Sequence, residues 1–475
     1  MDQLKVKVTE EDAAAGDEPV SPTGQYFNSS SLNISIVAVF ESDYQLDVSL
    51  AMAAVEKQFL PVSPRFSSVM IKDEKGVQRW KKVEVNLEDH IKTPVFISGL
   101  DFYDKHIEDY LTKLAMERLP PCRPLWELHL LKYPTRVAAG TAVFKLHHAL
   151  GDGFSLMGAL FSCLRRADDP SLPLTFPARR QRREKRSTGF LLAAVHAVRV
   201  GVNTIADFAW GLLKSSFVED DRTPVRSGEV GVEFRPLTIS TVVFSLDDVR
   251  KVKDKLGVSL NDVISGVVFY GMQIYIKARE GDAGRSRAGK TKVTALLLLN
   301  TRNIKNYQSL EDMRRPGAES RWGNHFGFIH VSVPFSPDAD QVDPLSFVVK
   351  GKQIIRAKMN SLGVYLTGKL LEWMRMRNGP EVTARYMYNT LRNTSATISN
   401  LTGPMEPIIM GNNPISNFYF MVVGVPQSLT ISIVSYMGKL TLAMGTEKDF
   451  IDARLLVSSM ETSFQKIYDA AIKRN

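Results

Sequence analysis

Hydrophobic and polar positions follow two periodicities along the chain, and each periodicity predicts a different element. The alternation in Thr141–Leu146 predicts a β-strand, because successive side chains of a strand point to opposite faces. The apolar positions of Phe154–Leu164 recur at helical spacing and predict an α-helix directly after it. The C-terminal half mixes the two patterns in the same way, which predicts an α/β protein. Its predicted elements are strands at Val242–Ser245 and Lys292–Leu299, helices at Leu246–Leu256, Leu260–Lys277 and Phe450–Ile472, and a β-hairpin of Thr430–Val434 and Lys439–Ala443.

Breaks in composition divide the chain into predicted domains. Residues 1–18 are acidic and polar, which is typical of a disordered tail. Strand-like and helical stretches alternate over residues 19–175, and we expect them to form an N-terminal domain. Residues 176–231 are predicted to be a basic linker that includes an amphipathic, membrane-associated helix, and residues 232–475 a C-terminal domain. The simplest architecture is therefore two mixed halves joined by a basic connector.

The connector combines positive charge with a long apolar stretch. Arg179–Arg186 carries six positive charges against one negative, and Gly189–Leu213 approaches the roughly 20 residues that span a bilayer. Four polar residues of this stretch fall on one helical face: His196, Arg199, Asn203 and Asp207. A transmembrane helix would carry that stripe into hydrocarbon at a substantial cost, and a helix between two domains would turn it outward. We favour an amphipathic helix in the membrane interface, since the basic run next to it attracts anionic headgroups.

Overall composition restricts the class of protein. In the 475 residues the hydrophobic fraction is 44% and the charged fraction 23%, which are globular values. The net charge of +9 fits nucleic acid, an anionic membrane or a phosphorylated small molecule, but it concentrates in one linker without interleaved aromatic residues, which argues against nucleic acid. Cys122 and Cys163 form no CxxC pair, so neither a disulfide framework nor a zinc cluster is expected. Residues 1–18 lack the apolar core of a secretory signal, and we expect a cytosol-facing protein.

The segment His147-His148-Ala149-Leu150-Gly151-Asp152-Gly153 carries the candidate chemistry, because it lies between the predicted strand and the predicted helix. A histidine with a pKa near 6.5 suits proton removal from an alcohol at neutral pH. His147 and His148 are expected to point to opposite sides, so that one works while the other packs. Asp152 stands where it can cap the helix or pair with a cation. The residues alone also allow two structural histidines or, less readily, metal ligands.

Two other chemical motifs are rejected on their context. Gly284–Thr291 satisfies the phosphate-loop pattern GxxxxGK[ST], but a predicted helix precedes it and a predicted strand follows, which is the reverse of what that motif requires. The chain contains no GxSxG, so a serine hydrolase of the α/β-hydrolase type is not supported.

With these residues in view, the sequence resembles the plant-type wax ester synthase/diacylglycerol acyltransferase family over nearly its whole length. The family's motifs occur in order: Pro19–Pro22, Pro64–Ser67, Pro124–Glu127, the HHxxxDG segment His147–Gly153, the pair Asn261-Asp262, Arg321–Asn324 and Ser399–Pro404. The resemblance implies the two-domain fold of CoA-dependent acyltransferases, which is similar to chloramphenicol acetyltransferase and consists of mixed sheets flanked by helices.

The resemblance also implies roles for particular residues. The second histidine of HHxxxDG is the family's general base, which makes His148 the base here, with His147, Asp152 and Asn261 completing the candidate catalytic set. The family's aspartate is structural and pairs with an arginine; Arg302 is the candidate, although Asn303 follows it where relatives carry proline. Asn261 is a hypothesis for the oxyanion donor, for which a Ser, a Thr or a backbone N–H is the alternative. The residues expected to bind substrate or support the site are Gly153, Pro124, Leu125, Trp126, Asp262, Arg302 and Asn324.

The implied reaction is direct acyl transfer from acyl-CoA, a co-substrate, with no cofactor and no metal. We expect a long-chain alcohol or diacylglycerol as acceptor and membrane lipids as partners, with wax ester synthesis ranked before triacylglycerol synthesis. The expected location is the endoplasmic reticulum membrane with a cytosol-facing active site, and the plasma membrane is the alternative. A soluble HxxxD-type acyltransferase is a competing function, but its DFGWG-like motif is absent. A non-catalytic lipid-binding homologue is the other competitor.

Overall fold

A computed structural model of the chain describes residues 18–73, 78–172, 174–175, 190–280, 291–301, 323–336 and 342–473, without the side chains of residues 190–197. Two compact units are present. The first comprises residues 1–178, 302–325 and 401–424, and the second comprises residues 179–301, 326–400 and 425–475. The predicted acidic tail apart from Glu18, the basic run Arg179–Arg186, the phosphate-loop match apart from Thr291, and Arg302 lie outside the described residues.

The first unit is built around a mixed sheet. Its helices are α1 (Pro22–Phe27), α2 (Val48–Ala54), α3 (Leu87–His90), α4 (Asp104–Met116) and α5 (Gly153–Ser162), with a π-helical turn at Val55–Phe59 and 3-10 turns at Leu60–Val62 and Pro64–Ser67. Its strands are β1 (Ser35–Ser42), β2 (Ser68–Lys72), β3 (Gln78–Lys82), β4 (Ile91–Lys92), β5 (Trp126–Leu131), β6 (Gly140–His147), β7 (Leu164–Arg166), β12 (Ile408–Met410) and β13 (Asn413–Val423).

Strand β1 lies in the middle of this sheet. Among the described residues the sheet has seven strands in the order β4-β5-β6-β1-β13-β12-β7, while β2 and β3 form a separate hairpin. Antiparallel pairing aligns Ser35 with His147 of β6 on one side and with Val423 of β13 on the other. Nearly every residue of β1 is buried, as expected for a strand covered on both faces. The sheet therefore holds the end of β6, where the histidines lie, against a rigid central strand.

The second unit contains the remaining elements. Its helices are α6 (Phe190–Ser216), α7 (Leu246–Leu256), α8 (Leu260–Glu280), α9 (Leu345–Met359), α10 (Gly363–Arg392) and α11 (Ala453–Lys473), with a 3-10 turn at Val232–Phe234. Its strands are β8 (Leu237–Ser245), β9 (Thr294–Asn300), β10 (Phe326–Ser332), β11 (Ala396–Thr402), β14 (Leu429–Tyr436) and β15 (Lys439–Glu447). Among the described residues they form one sheet in the order β10-β9-β11-β14-β15-β8. Apolar side chains of α8, α9 and α11 pack on it as the core of the unit.

Helix α7 shows why several local predictions are confirmed. Ser245 Oγ accepts a hydrogen bond from the Asp248 N–H at the start of the helix, and Gly257 ends it in the left-handed conformation. Both signals lie in the neighbouring sequence, so the predicted bounds Leu246–Leu256 are the observed ones. The predicted hairpin is likewise confirmed, since β14 and β15 pair around Met437 and Gly438. The predicted buried strand at Lys292–Leu299 begins at Thr294 instead, and only its first three residues are fully buried.

The domain boundaries differ from those expected. Residues 232–475 do not form one C-terminal domain, because residues 401–424 belong to the first unit. The physical reason is strand pairing: β13 forms backbone hydrogen bonds with β1, and β12 bridges β13 and β7. Strands β1 and β13, like β7 and β12, are separated by hundreds of residues, and composition carries no signal for such pairing.

The predicted amphipathic helix is present as α6, but the direction of its faces corrects one expectation. A helix packed between two domains with its polar residues outward would place Asp207 in solvent. Asp207 is instead half-buried and forms an ion pair with Lys358 of α9. Asn203 is also half-buried, and Arg199 is exposed. The apolar residues Val198, Val202 and Ile205 point outward instead. Within the residues described, no helix is both long enough and apolar enough to cross a bilayer.

Candidate active site

The histidine segment connects β6 to α5, as predicted. His147 is the last residue of β6, and Asp152 is the N-cap of α5. The two histidines are held by their backbones: the His147 N–H donates to the Leu125 carbonyl at 3.0 Å, and the His148 N–H donates to the Ile34 carbonyl at 2.9 Å. The end of β6 and the histidine loop are therefore anchored by backbone hydrogen bonds to Leu125 and Ile34, respectively.

Asn324 determines which nitrogen of His148 carries the proton. Asn324 Nδ2 donates to the backbone carbonyl of His148 at 2.8 Å, and Asn324 Oδ1 lies 2.8 Å from His148 Nδ1. A carbonyl oxygen can only accept, so the amide NH₂ must face it and the amide oxygen must face the ring. Nδ1 of His148 is consequently the protonated nitrogen, and the lone pair lies on Nε2. This is the tautomer that a general base acting through Nε2 requires.

Burial keeps the His148 ring neutral. The residue is 3% exposed, and the ring of Phe27 packs edge-on against it with 4.9 Å between ring centroids. Burial lowers the pKa of His148 below its usual value near 6.5, while Asp152 and the hydrogen bond to Asn324 act in the opposite direction. At neutral pH the imidazole is thus uncharged and able to accept a proton.

His147 has a different environment. Its Nδ1 accepts a hydrogen bond from the Ala149 N–H at 3.0 Å, so its proton is on Nε2. Burial, reinforced by His148, Lys145 and Arg118, lowers the pKa of His147 to about 3. A ring that stays neutral and accepts the Ala149 N–H braces the turn that carries His148. That His147 packs while His148 works stays a prediction.

Asp152 organises the backbone around the loop. Its Oδ1 accepts from the Ser155 N–H at 3.0 Å and caps α5, and its Oδ2 accepts from the His325 N–H at 2.9 Å. The Asp152 N–H in turn donates to the Gly323 carbonyl, as does the Ser155 hydroxyl. The segment Gly323–His325 is therefore fastened to the histidine loop at several points. The pairing of Asp152 with Arg302 stays a prediction, because Arg302 lies outside the described residues.

Pro124, Leu125 and Trp126 support the strand that carries the histidines. All three are buried, and Leu125 accepts the His147 N–H. Trp126 Nε1 donates to the Phe66 carbonyl at 2.8 Å, and the Trp126 carbonyl lies 2.7 Å from His90 Nδ1, whose ring stacks on the indole. Pro124, Leu125 and Trp126 were expected either to bind substrate or to support the site, and these contacts favour the supporting role.

Arg65 is a residue of the site to which sequence reasoning assigned no role. Its guanidinium is buried, donates to the Leu150 carbonyl at 3.2 Å and forms an ion pair with Glu18. It thereby fixes the middle of the histidine loop. Its position in the motif Pro64–Ser67 is the signal that could have identified it.

Gly153 is needed for close packing at the start of α5. A Cβ added there would lie 3.1 Å from Leu401 Cδ1, which is tighter than ordinary van der Waals contact. Leu401 belongs to the predicted motif Ser399–Pro404, so two of the motifs meet at this point of the first unit.

Asn261 and Asp262 belong to the second unit and have separate roles. Asp262 Oδ2 accepts the Ser259 N–H at 2.8 Å while Ser259 Oγ accepts the Asp262 N–H at 3.2 Å, which is a capping box at the start of α8. Asn261 is exposed, and its Oδ1 accepts from Asn400 Nδ2 at 2.9 Å. This contact directs the Asn261 oxygen toward Asn400 and leaves the two N–H groups of its amide to face elsewhere. The first unit thus holds His147, His148, Asp152, Gly153, Asn324 and Pro124–Trp126, and the second holds Asn261 and Asp262.

Comparison with known proteins decides the family. The model of the wax ester synthase/diacylglycerol acyltransferase catalytic domain matches residues 28–264, and that of the WS/DGAT C-terminal domain matches residues 322–468. Wax ester synthase/diacylglycerol acyltransferase 4 of Arabidopsis thaliana is 31% identical to the chain, over 96% of the chain and 91% of that relative. The chain belongs to the wax ester synthase/diacylglycerol acyltransferase family. It is accordingly an acyltransferase, as predicted.

Other members and solved structures agree with this family. Wax ester synthase/diacylglycerol acyltransferase 6 of Arabidopsis thaliana is 29% identical over 100% of the chain and 97% of that protein. The wax ester synthase/diacylglycerol acyltransferase from Marinobacter aquaeolei VT8 superposes with a TM-score of 0.58 at 14% identity, covering 96% of the chain and 99% of that structure. The first condensation domain of the CDA synthetase gives 0.54 at 12% identity, covering 92% and 91%. At such identities the structures show the fold alone, and the predicted acyltransferase fold is confirmed.

Proposed function

We propose that the chain transfers a long-chain acyl group from acyl-CoA to the hydroxyl of a fatty alcohol, of diacylglycerol or of both, with His148 as the general base. The observation that carries the proposal is the hydrogen bonding of Asn324, which places the proton of His148 on Nδ1 and the lone pair on Nε2. Membership of a family whose relatives are named for these two activities supports the substrate classes.

The reaction follows from a neutral, oriented imidazole. His148 Nε2 takes the hydroxyl proton as the alcohol oxygen attacks the thioester carbonyl, and a C–O bond forms. The tetrahedral intermediate collapses, the C–S bond breaks, and the imidazolium returns its proton to the leaving CoA thiolate. Asn324 accepts from Nδ1–H throughout, and Asp152 lies near enough to favour the charged ring electrostatically. No covalent enzyme intermediate is needed.

The tetrahedral oxyanion needs a donor, for which Asn261 is our candidate. Its surroundings support this assignment, because its amide oxygen is held by Asn400 and it stands in the first turn of α8, where the helix dipole favours negative charge. The neighbouring Asp262 serves the capping box and has no part in the proposal.

For the acceptor and its source we propose a lipid alcohol delivered from a membrane, with fatty alcohol ranked before diacylglycerol. The endoplasmic reticulum membrane with a cytosol-facing active site is the proposed location, and the plasma membrane is the alternative. The basic, apolar connector of residues 176–231 supports an acceptor that is dissolved in lipid.

The test is expression in a host deficient in neutral lipids, with labelled acyl-CoA supplied together with hexadecanol or diacylglycerol. Wild-type chain is expected to make labelled wax ester, triacylglycerol or both. The variant His148→Ala is expected to lose nearly all product while it still folds and unfolds cooperatively, with a somewhat lower midpoint because a buried ring and its hydrogen bond are removed. The matched variant His147→Gln keeps an acceptor near the Ala149 N–H and should retain measurable transfer. Substantial product from His148→Ala would refute the base assignment, and product from neither acceptor with wild-type chain would favour a non-catalytic lipid-binding protein.

A further inference from the structure

Helix α6 turns several of its polar side chains inward. Thr204, Lys214 and Ser215 are buried, and each is hydrogen-bonded inside the second unit: Thr204 Oγ1 accepts the Leu362 N–H, Lys214 is paired with Asp220, and Ser215 bonds to Thr390. A helix of a water-soluble protein ordinarily buries its apolar face and exposes the polar one. Folding of this unit therefore leaves the apolar face of α6 without a partner among the described residues.

That outward face is a continuous apolar stripe. Val198, Val202 and Ile205 are 67%, 61% and 71% exposed, and Ala209 follows them one turn further along. Spacings of four, three and four place them in one row. Scattered exposed apolar residues need no explanation, but a row on one helix marks an interaction surface.

Helix α10 folds back on itself and carries a second set of exposed apolar side chains. Its start, next to Leu362, reaches Thr204 of α6, and its end, at Thr390, reaches Ser215. These two contact points on α6 lie about 17 Å apart along the helix, whereas 30 straight helical residues would span about 45 Å. The bend is at Gly379, whose φ of 83° and ψ of 172° are not helical, directly before Pro380.

The first arm of α10, residues 363–378, lies on the surface of the unit. Among its residues, all of which are described, only Gly363 is fully buried. Large apolar side chains on this arm are exposed: Tyr365 61%, Trp373 54% and Met376 66%. We define the α6–α10 surface by six residues, which are Val198, Val202, Ile205, Tyr365, Trp373 and Met376.

Charge identifies the occupant of this surface. Arg199 and Arg377 are exposed beside it, Lys369 is 81% exposed, and the single carboxylate of the first arm, Glu372, is already paired with Lys369 at 3.1 Å. Exposed apolar and aromatic side chains bordered by arginine and lysine are the pattern of a helix that lies in a membrane interface, where tryptophan and tyrosine sit at headgroup depth. The excess of cations favours anionic headgroups.

We propose that the α6–α10 surface docks the chain on an anionic lipid bilayer, with both helices lying in the interface and neither crossing it. This proposal deepens the proposed function and rests on it. The chain needs to bind a membrane because the proposed acceptor is dissolved there. The sequence alone predicted membrane association only for the connector, residues 176–231. The present proposal differs because half of the α6–α10 surface lies on α10.

The experiment measures flotation of the full chain with vesicles of phosphatidylcholine alone and of phosphatidylcholine mixed with phosphatidylserine. Wild-type chain is expected to bind the mixed vesicles more strongly. The double variant Ile205→Glu/Trp373→Ala is expected to bind the mixed vesicles at least about tenfold more weakly. The reason is that two large apolar side chains are no longer available to transfer from water into lipid. The matched control Val137→Glu/Phe234→Ala changes side chains that are 66% and 59% exposed elsewhere, and it should bind like wild type.

Three results would overturn the proposal: no binding of wild-type chain to either vesicle, equal binding of the double variant and wild type, or equal binding to both lipid mixtures. Light scattering after gel filtration provides a further check. If the double variant converts a dimer to a monomer without losing vesicle binding, the surface joins two copies of the chain instead.

Acyl transfer to a short-chain alcohol in the absence of vesicles separates this proposal from the proposed function. The double variant should keep wild-type activity in that assay, because its two residues are not part of the histidine site. If wild-type chain shows no transfer, the proposed function fails and the flotation result still decides the docking surface.

Discussion

Removing the Asn324 side chain tests whether it sets the protonation of His148. Asn324→Ala deletes two hydrogen bonds of 2.8 Å, one to the ring and one to the His148 carbonyl. Each buried hydrogen bond contributes about 1 kcal/mol net, so the variant loses about 2 kcal/mol of the free energy that holds His148 in position. If all of it is expressed in the transition state, kcat/KM should fall by about 30-fold.

The pH profile distinguishes positioning from a general loss of structure. The bond to Asn324 raises the pKa of His148 within its buried site, so Asn324→Ala should lower that pKa further and move the acidic limb of kcat/KM to lower pH. Asn324→Asp places a carboxylate beside Nδ1 and should move the same limb to higher pH. The two variants are therefore predicted to shift in opposite directions.

The assay is kcat/KM for a short-chain alcohol and acyl-CoA between pH 5 and 8, with thermal unfolding measured alongside. Asn413 is the control position, since its exposed amide donates to the Gln45 carbonyl at 2.9 Å in the same unit, away from the histidine loop. Asn413→Ala and Asn413→Asp should leave the acidic limb unchanged. Identical acidic limbs in wild type, Asn324→Ala and Asn324→Asp would refute the tautomer assignment.

Two further predictions concern His147 and the pair Asn261-Asp262. The pKa of His147 is about 3 in the folded state and about 6.5 when unfolded, so the unfolded state binds more protons between these values and stability falls as pH drops through that window. Between pH 7 and 5 the loss in the free energy of unfolding amounts to about 2 kcal/mol. For His147→Gln, the free energy measured by urea unfolding should depend less steeply on pH. The same pH dependence in the variant and in wild type would contradict the argument that burial lowers the pKa of His147. Asp262→Ala should cost about 1 kcal/mol of stability through loss of the capping box and keep activity, whereas Asn261→Ala should lower kcat with little change in unfolding. The reverse pattern would exclude Asn261 as the oxyanion donor.

The sequence predicted those features whose causes are local. Helix α7 has its cap residues at both ends, the β14–β15 hairpin has its turn between alternating strands, and the strand-to-helix setting of the histidines is visible within a dozen residues. The order of the motifs was sufficient for the family, and the motif HHxxxDG made His148 the predicted base. Propensity, capping and short-range periodicity act within one element, so they can be read along the chain.

Tertiary structure alone decided how distant segments meet. Asn324 lies 176 residues from His148 in sequence, and no local pattern states that its amide holds the ring. The transfer of β12 and β13 to the first sheet, the bracing of the loop by Arg65 and the supporting role of Trp126 depend in the same way on long-range pairing. Helix α6 makes the point most directly: its sequence shows two faces of different polarity, but which face turns inward depends on Lys358, Asp220 and Thr390, which other elements bring to it. Amphipathicity is a property of the segment, and the direction of burial is a property of what packs against it.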